Sequence, residues 1–194
     1  MSKLGLHLVM AVAVIVAACA STPTMPTAAA KAELAPTGML RIAAFTGNPV
    51  IGSKNTTTGE VVGTTAILGK ELALRAGLAA TLIEYTAVAK LVEDAKAGAW
   101  DIAVVAFDPA PRNVLDFAPP HMVVDLTYLV APGSNIRSVA DADQPGVRIA
   151  AARGAATALF LERTLKAATV TPAENEPAAF ELLRTGYAKA LAQN

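Results

Sequence analysis

The sequence has little cysteine, little histidine and no excess of charge of either sign, and each shortage excludes a class of chemistry. Cys19 is the only cysteine among 194 residues, so the chain has no internal disulfide, and the part that follows Cys19 has no thiolate nucleophile or cysteine metal ligand. Lysine and arginine together number 16, as do aspartate and glutamate, and no basic run stands out. Nucleic acid is therefore not expected as a partner, because its binding depends on excess positive charge.

Sequence motifs of several enzyme classes are also missing. There is no Gly-x-Ser-x-Gly elbow, no set of His, Asp and Glu at metal-ligand spacing, and no phosphate-cradling Gly-x-x-x-x-Gly-Lys-Ser/Thr string. His121 is the only histidine after His7, and an isolated polar residue beside Pro119-Pro120 is more often structural than catalytic. The sequence therefore predicts no cofactor, no metal site and no catalytic residue.

Apolar residues are abundant, at 54% against 16% charged residues, and one run of them begins the chain. Lys3 precedes the run Leu4–Ala18, which is long enough for the hydrophobic core of a signal peptide and short for a membrane span. Residues 1–19 are therefore predicted to be an export signal, and the protein is expected in the periplasm or cell envelope.

The predicted signal ends in Val16-Ala17-Ala18-Cys19, which resembles the bacterial lipobox. In that motif the cysteine is acylated and becomes the first residue of the mature protein. Cys19 is accordingly a candidate lipidation site, and a lipid anchor would be the only contact with the membrane. The alternative is an ordinary signal peptide that is cut near Ala17–Ala20, with Cys19 discarded.

Two predicted lobes follow a predicted disordered linker. Residues 20–37 are rich in Ala, Thr and Pro and lack apolar periodicity, which is typical of a disordered tether. From Gly38 onward, short apolar strands alternate with amphipathic helices, as in βαβ units on a mainly parallel sheet. In the first lobe, residues 38–122, the predicted strands are Leu40–Phe45, Thr81–Tyr85 and Asp101–Ala106, and the predicted helices are Thr65–Ala76 and Ala87–Ala97.

The second lobe is predicted over residues 123–194. The apolar stretch Val123–Ala131 follows the breaker Pro119-Pro120, so we expect it to carry the chain from one lobe to the other. Ser138 is expected to cap a short helical turn. The predicted strands are Val147–Ala151, Thr169–Thr171 and Ala188–Ala192, and the predicted helices are Ala155–Lys166 and Pro177–Arg184.

Short motifs in a consistent order run from Gly38 to the end of the chain. They are Leu40-Arg41-Ile42, Gly59-Glu60-Val61-Val62-Gly63, Lys96-Ala97-Gly98-Ala99-Trp100-Asp101, Asp108-Pro109-Ala110-Pro111-Arg112, Asp116-Phe117-Ala118-Pro119-Pro120, Pro145-Gly146-Val147-Arg148-Ile149-Ala150, Arg153-Gly154 and Thr185-Gly186-Tyr187-Ala188-Lys189-Ala190. Together they resemble the family 3 extracellular solute-binding proteins. The resemblance implies a two-lobed α/β fold of the type II periplasmic-binding-protein kind. It also implies an amino acid or similar small carboxylate as ligand and an ABC permease of the inner membrane as partner.

Two charged residues of the first lobe are candidate ligand contacts. The resemblance implies that Arg112 grips the ligand carboxylate, and a guanidinium is suited to this because it offers two parallel donors. The alternative is a surface pair with Asp116 or Asp108. Asp108 follows a predicted buried strand, where ligands of α/β sheets bind, so it is a candidate for a ligand ammonium, with turn capping as the alternative.

Four more candidates of the first lobe lie at the carboxyl ends of its first two predicted strands. Phe45, Thr46 and Asn48 end or follow the first strand, and Tyr85 ends the second. Parallel strands bring their carboxyl ends to one edge, so these side chains are expected to form a pocket there. For Phe45 and Tyr85 the alternative is ordinary packing in the core.

The second lobe contributes a strand-to-helix junction and the end of the chain. At Arg153-Gly154-Ala155-Ala156, unpaired N–H groups and the helix dipole are expected to attract an anion, with Arg153, Gly154 and Ala156 as candidate contacts. Ala155 and Ala156 stand where the resemblance implies hydroxyl residues. Asn194 matches a position near the ligand ammonium that is often acidic in the family.

The resemblance also implies that the chain would continue past the strand Ala188–Ala192 and cross back to the first lobe. We therefore expect the second lobe and the return crossover to be incomplete here. The expected function is capture of a solute by hinge closure, without chemistry. The alternatives are an exported, dehydratase-like enzyme on the same fold and a sensory or other non-transport binding lipoprotein.

Overall fold

The computed structural model describes residues 25–107 and 114–193, which form two lobes, each built around one main β-sheet. In chain order the first lobe contains α1 (Ala28–Leu34), β1 (Met39–Phe45), β2 (Ser53–Lys54), β3 (Val61–Val62), α2 (Thr64–Ala76), β4 (Ala79–Tyr85), α3 (Val88–Lys96) and β5 (Ile102–Ala103). Its main sheet has the order β4-β1-β5 with all strands parallel, and β2 and β3 form a separate antiparallel pair.

The central strand of the first lobe is buried on both faces, because its alternating side chains meet different helices. Leu40 and Ile42 share a cluster with Ala73 of α2, whereas Ala43 and Phe45 share another with Leu91 of α3. Such burial explains why β1 is almost entirely apolar.

A glycine lets α2 approach β1 closely. A Cβ atom added to Gly69 would lie 2.8 Å from Ile42, so only glycine fits there without a shift. Glycine inside a helix costs about 1 kcal/mol relative to alanine, and here it permits tight helix-to-sheet packing. The helix ends at Gly77 in the left-handed conformation, with φ of 62°, as the sequence predicts.

The segment before the first sheet differs from the disordered linker predicted over residues 20–37. Residues Ala28–Leu34 form α1, which begins where Thr27 Oγ1 accepts the N–H of Ala30 at 3.2 Å. Ala35 is only 2% exposed and packs with Leu40 and Ile42. The prediction was wrong here because an alanine-rich composition is compatible with a helix as well as with a disordered tether, since alanine has the highest helix propensity. Packing of Ala35 against the first-lobe core stabilises the helix.

An ion pair fixes the edge of the first sheet. The guanidinium of Arg41 on β1 donates to Asp101 at 2.6 Å and to the carbonyl of Gly98 at 2.6 Å. Burial works to raise the pKa of Asp101, but the hydrogen bonds and charge of Arg41 outweigh it and hold that pKa below its usual value. The pair holds the chain leading into β5 beside β1.

In chain order the second lobe contains β6 (Thr127–Val130), a 3₁₀ turn (Val139–Ala142), β7 (Arg148–Ala152), α4 (Ala156–Thr164), β8 (Thr169–Ala173), α5 (Glu176–Arg184) and β9 (Ala190–Gln193). Its sheet has the order β6-β9-β7-β8. β7 is parallel to β8 and β9, and β6 is antiparallel to β9.

Helices cover both faces of this sheet as well. Ile149 and Ala151 of β7 pack with Leu161 of α4, and Ala150 packs on the opposite face with Leu183 of α5. Each lobe therefore has its own core on both sides of a mainly parallel sheet. The two-lobed α/β fold predicted from the sequence is confirmed.

β5 and α4 are shorter than predicted, and local contacts explain both. β5 covers only Ile102–Ala103 because its pairing with β1 ends there. α4 ends at Thr164, because Asp143 accepts the N–H groups of Ala167 at 2.8 Å and Ala168 at 2.9 Å and holds the chain in a turn. Over residues 25–107 and 114–193, no helix combines the length and apolar character needed to cross a bilayer.

Candidate functional site

A cavity of about 80 Å³ lies between the two lobes, at the ends of their parallel strands. On the first-lobe side it is lined by Phe45, at the end of β1, and by Asn48, in the following loop. On the second-lobe side it is lined by Gly154–Thr157, after β7, and by Glu176, after β8. This is the edge at which open α/β sheets bind ligands, so the cavity is the candidate ligand site.

Phe45 and Asn48 are held rigidly in the first-lobe wall. Phe45 is 4% exposed, and its ring occupies the space beside Gly47, where an added Cβ would lie 2.5 Å from Cζ. Asn48 is 3% exposed, and its Oδ1 accepts the N–H of Val50 at 3.0 Å. A ligand would therefore meet a preformed surface here.

The rest of the cavity wall is mainly apolar and comes from α3, from the chain that follows β5 and from the chain that precedes β6. Its lining side chains include Val88, Val92, Val104, Val105, Ala106, Leu115, Val124 and Leu126. Val104–Ala106 were predicted as strand but lie beyond β5, which frees them to line the cavity. Apolar walls lower the local dielectric, so the few polar groups here interact strongly with a ligand.

The second-lobe wall carries an uncapped helix N-terminus. Gly154 has φ of 73°, which favours glycine, and α4 begins two residues later at Ala156. The N-cap residue is Ala155, whose methyl group cannot accept a hydrogen bond, so within the described ranges no side chain caps the first N–H groups of α4. These donors and the helix dipole suit a carboxylate or another anion, as the sequence predicts for Gly154 and Ala156.

Glu176 also faces the cavity, and the sequence analysis missed it. Its Oε2 atom is buried and accepts no hydrogen bond from any residue that the structure describes, and burial raises the pKa of Glu176. It is the only ionisable residue among the described residues that line the cavity. Asp108 and Phe45 were predicted because they lie at or just beyond the carboxyl end of a strand. The same rule applies to Glu176, which follows the end of β8 at Ala173.

Three predicted contacts do not line the cavity. Thr46 donates from Oγ1 to Glu84 at 3.2 Å on the lobe surface, and Arg153 is exposed to solvent. Tyr85 is buried in the first-lobe core, where its hydroxyl donates to Asp94 at 3.1 Å. Burial, and then this hydrogen bond, raise the pKa of Tyr85. Core packing, the alternative considered for Tyr85, describes its position.

The other predicted residues lie outside the described part of the chain. These are Arg112, Asp108, Asn194 and the lipidation candidate Cys19. Their roles stay predictions. Among the residues that the structure does describe, no three His, Cys, Asp or Glu side chains are grouped closely enough to hold a metal ion.

The two lobes touch where Gly154 faces Ala89 of α3, and this contact generates a prediction. A Cβ atom at position 154 would lie 3.2 Å from Ala89 Cβ, so Gly154→Ala should push the lobes apart and populate more open forms. Gly146→Ala is the matched control, because Gly146 has a similar φ of 81° but open space around it. In both variants, strain in the left-handed backbone should lower the free energy of unfolding by roughly 1–2 kcal/mol.

Small-angle X-ray scattering distinguishes the two variants. Gly154→Ala should have a larger radius of gyration than the parent chain, and Gly146→Ala should not. Superimposable scattering from Gly154→Ala and the parent would contradict the predicted shift toward open forms.

Comparisons with known proteins define the fold. No family model matches the chain, and no curated protein sequence does either. An ancestral amino-acid-binding protein, AncCDT-1, described as a precursor of cyclohexadienyl dehydratase, matches with a TM-score of 0.71 and 24% identity, over 83% of this chain and 72% of that one.

Two further solved structures are similar to the chain. One is a putative ABC-transporter binding component from Wolinella succinogenes complexed with lysine, with a TM-score of 0.69, 22% identity and coverage of 80% of this chain and 68% of that one. The other is the arginine-binding protein ArgBP from T. maritima in its holo form, with a TM-score of 0.71, 21% identity and coverage of 83% and 71%. The chain has the two-lobed fold of the type II periplasmic binding proteins.

Proposed function

We propose that this protein is the exported substrate-binding component of an ABC importer, which captures an amino acid or a similar small carboxylate between its lobes. The observation that carries the proposal is the cavity between the lobes, where rigid apolar walls meet the uncapped N-terminus of α4. The structural likeness to amino-acid-binding proteins, one described as an ABC-transporter component, supports the same function.

Hinge closure is the proposed mechanism. In this proposal Arg112 of the first lobe donates to the ligand carboxylate, while the first N–H groups of α4 donate from the second lobe. A ligand that contacts both lobes stabilises the closed form more than the open form, and the closed population rises. An ABC permease would then recognise the closed protein.

The solute is proposed to leave unchanged, because the proposed mechanism needs no chemical step. A dehydratase-like enzyme is the second candidate, supported by the likeness to a protein described as a dehydratase precursor. Mass spectrometry of the solute before binding and after release separates the two candidates. An unchanged mass supports binding alone, and loss of water would support the enzyme.

The proposed location is the periplasm, with Cys19 as a lipid anchor. Replacing the acylated thiol removes the attachment point, so Cys19→Ala should move the protein from the membrane fraction to the soluble periplasmic fraction. Fractionation followed by mass spectrometry of the N-terminus is the measurement. A processed Cys19→Ala protein that stays in the membrane fraction would exclude the lipidation of Cys19.

A thermal-shift screen of the purified chain against amino acids and small carboxylates tests the binding function. A ligand that binds only the folded state raises the melting temperature. For the ligand found, Arg112→Ala should weaken binding about 30-fold or more, as expected when one partner of a buried charge pair is removed. Arg75→Ala is the control, since Arg75 pairs with Glu71 on the exposed face of α2.

Either of two results would contradict this proposal. If no amino acid or carboxylate shifts a cooperative melting transition, the proposed function fails. If a ligand binds Arg112→Ala and the parent chain with equal affinity, Arg112 is excluded from the site.

A further inference from the structure

Glu176 is held at the cavity by a rigid element. It follows β8 and is the first residue of α5, whose N-terminus is capped by Asn175, with Oδ1 accepting the N–H of Ala178 at 2.9 Å. Pro177 comes next and restricts the backbone of the first helical turn. The side chain of Glu176 is therefore placed by the fold and not by a mobile loop.

The position of the Glu176 carboxyl group destabilises the folded protein when no ligand is bound. Oε2 of Glu176 is buried, and no residue in the described ranges donates a hydrogen bond to it. The other described lining residues are apolar or neutral, so none of them supplies a positive charge. An unsatisfied carboxyl oxygen in apolar surroundings costs folding free energy, and such groups are rare unless they have a function.

The location at a helix N-terminus determines which form of the carboxyl group a ligand would meet. Burial disfavours the charged form and raises the pKa of Glu176. The dipole of α5 acts in the opposite direction, because it stabilises negative charge in the first turn. A positive group of the ligand would add to the dipole and satisfy the buried oxygen at the same time.

We propose that Glu176 is a ligand-binding residue that selects a positively charged amine on the solute. Its carboxylate accepts hydrogen bonds from the amine, while the apolar walls around Phe45, Val88 and Leu126 hold an aliphatic part of the same molecule. The proposal rests on the proposed binding function and narrows it from small carboxylates to aliphatic solutes that carry an amine.

Isothermal titration calorimetry on the full chain tests this with three matched probes. L-leucine has both an amine and a carboxylate, 4-methylpentanoate lacks the amine, and 3-methylbutylamine lacks the carboxylate. The parent chain should bind L-leucine about tenfold or more tightly than 4-methylpentanoate. Binding of 3-methylbutylamine would show that the amine suffices, and its absence would show that the amine acts together with the carboxylate of an amino acid. Either result agrees with the proposal if L-leucine binds.

Two variants assign the effect to the residue. Glu176→Gln keeps the shape of the side chain, and it should weaken L-leucine about tenfold or more while changing 4-methylpentanoate by less than about twofold. Glu174→Gln is the control, because Glu174 is exposed and lies two residues away, in the loop before α5. The melting temperature of unliganded Glu176→Gln should equal or exceed that of the parent, because a neutral amide costs less free energy to bury than an unpaired carboxylate.

Three outcomes would overturn the inference. They are equal affinity of the parent for L-leucine and 4-methylpentanoate, unchanged L-leucine affinity in a folded Glu176→Gln, and no binding of any of the three probes. If Glu176→Gln fails to fold, the affinities of the parent chain for L-leucine and 4-methylpentanoate still test the inference. If these probes fail but another carboxylate shifts the melting temperature in the wider screen, the proposed function stands and only this inference fails.

Discussion

The direction of the parallel strands is the constraint on which the rest of this structure depends. β1 and β4 are in parallel register, as are β7 and β8, so each pair ends at one edge of its sheet. The loops that follow these strands therefore lie at the gap between the lobes. Phe45, Asn48, Gly154 and Glu176 all reach the cavity in this way, although they come from the ends of three different strands.

The cavity combines apolar walls with a small number of uncompensated polar groups. One is the N-terminus of α4, which lacks a side-chain cap, and another is the buried oxygen of Glu176. These groups have opposite electrostatic preferences, since a helix N-terminus favours an anion and a carboxylate favours a cation. A zwitterion with an aliphatic side chain satisfies both and fills the apolar space between them.

Much of the fold can be predicted from the sequence because the central strands are strongly apolar and three helices, α2, α3 and α5, end at or next to a glycine. β1, β4 and α2 lie within two residues of their predicted bounds, and Gly77 ends α2 as expected. The prediction failed for α1, where composition indicated disorder but contacts of Ala35 with the first-lobe core stabilise a helix. Local composition does not reveal such a tertiary contact.

The candidate site was only partly predictable for a related reason. The rule of strand ends correctly locates an edge, but it does not specify which side chains at that edge point to the cavity. Tyr85 turns into the core beneath α3, and Thr46 pairs with Glu84, whereas Glu176 turns toward the gap. These directions depend on how helices pack against each sheet, which periodicity in one sequence does not encode.

The distance between the lobes, measured by pulsed electron spin resonance, tests the central claim most directly. Spin labels on Lys70→Cys in α2 and Arg184→Cys in α5, both exposed positions, report it in a chain whose Cys19 is replaced by alanine. A saturating ligand should shorten and narrow the distance distribution, because only the closed form lets both lobes contact the solute. A ligand that binds with measurable heat but leaves the distribution unchanged would contradict capture by hinge closure.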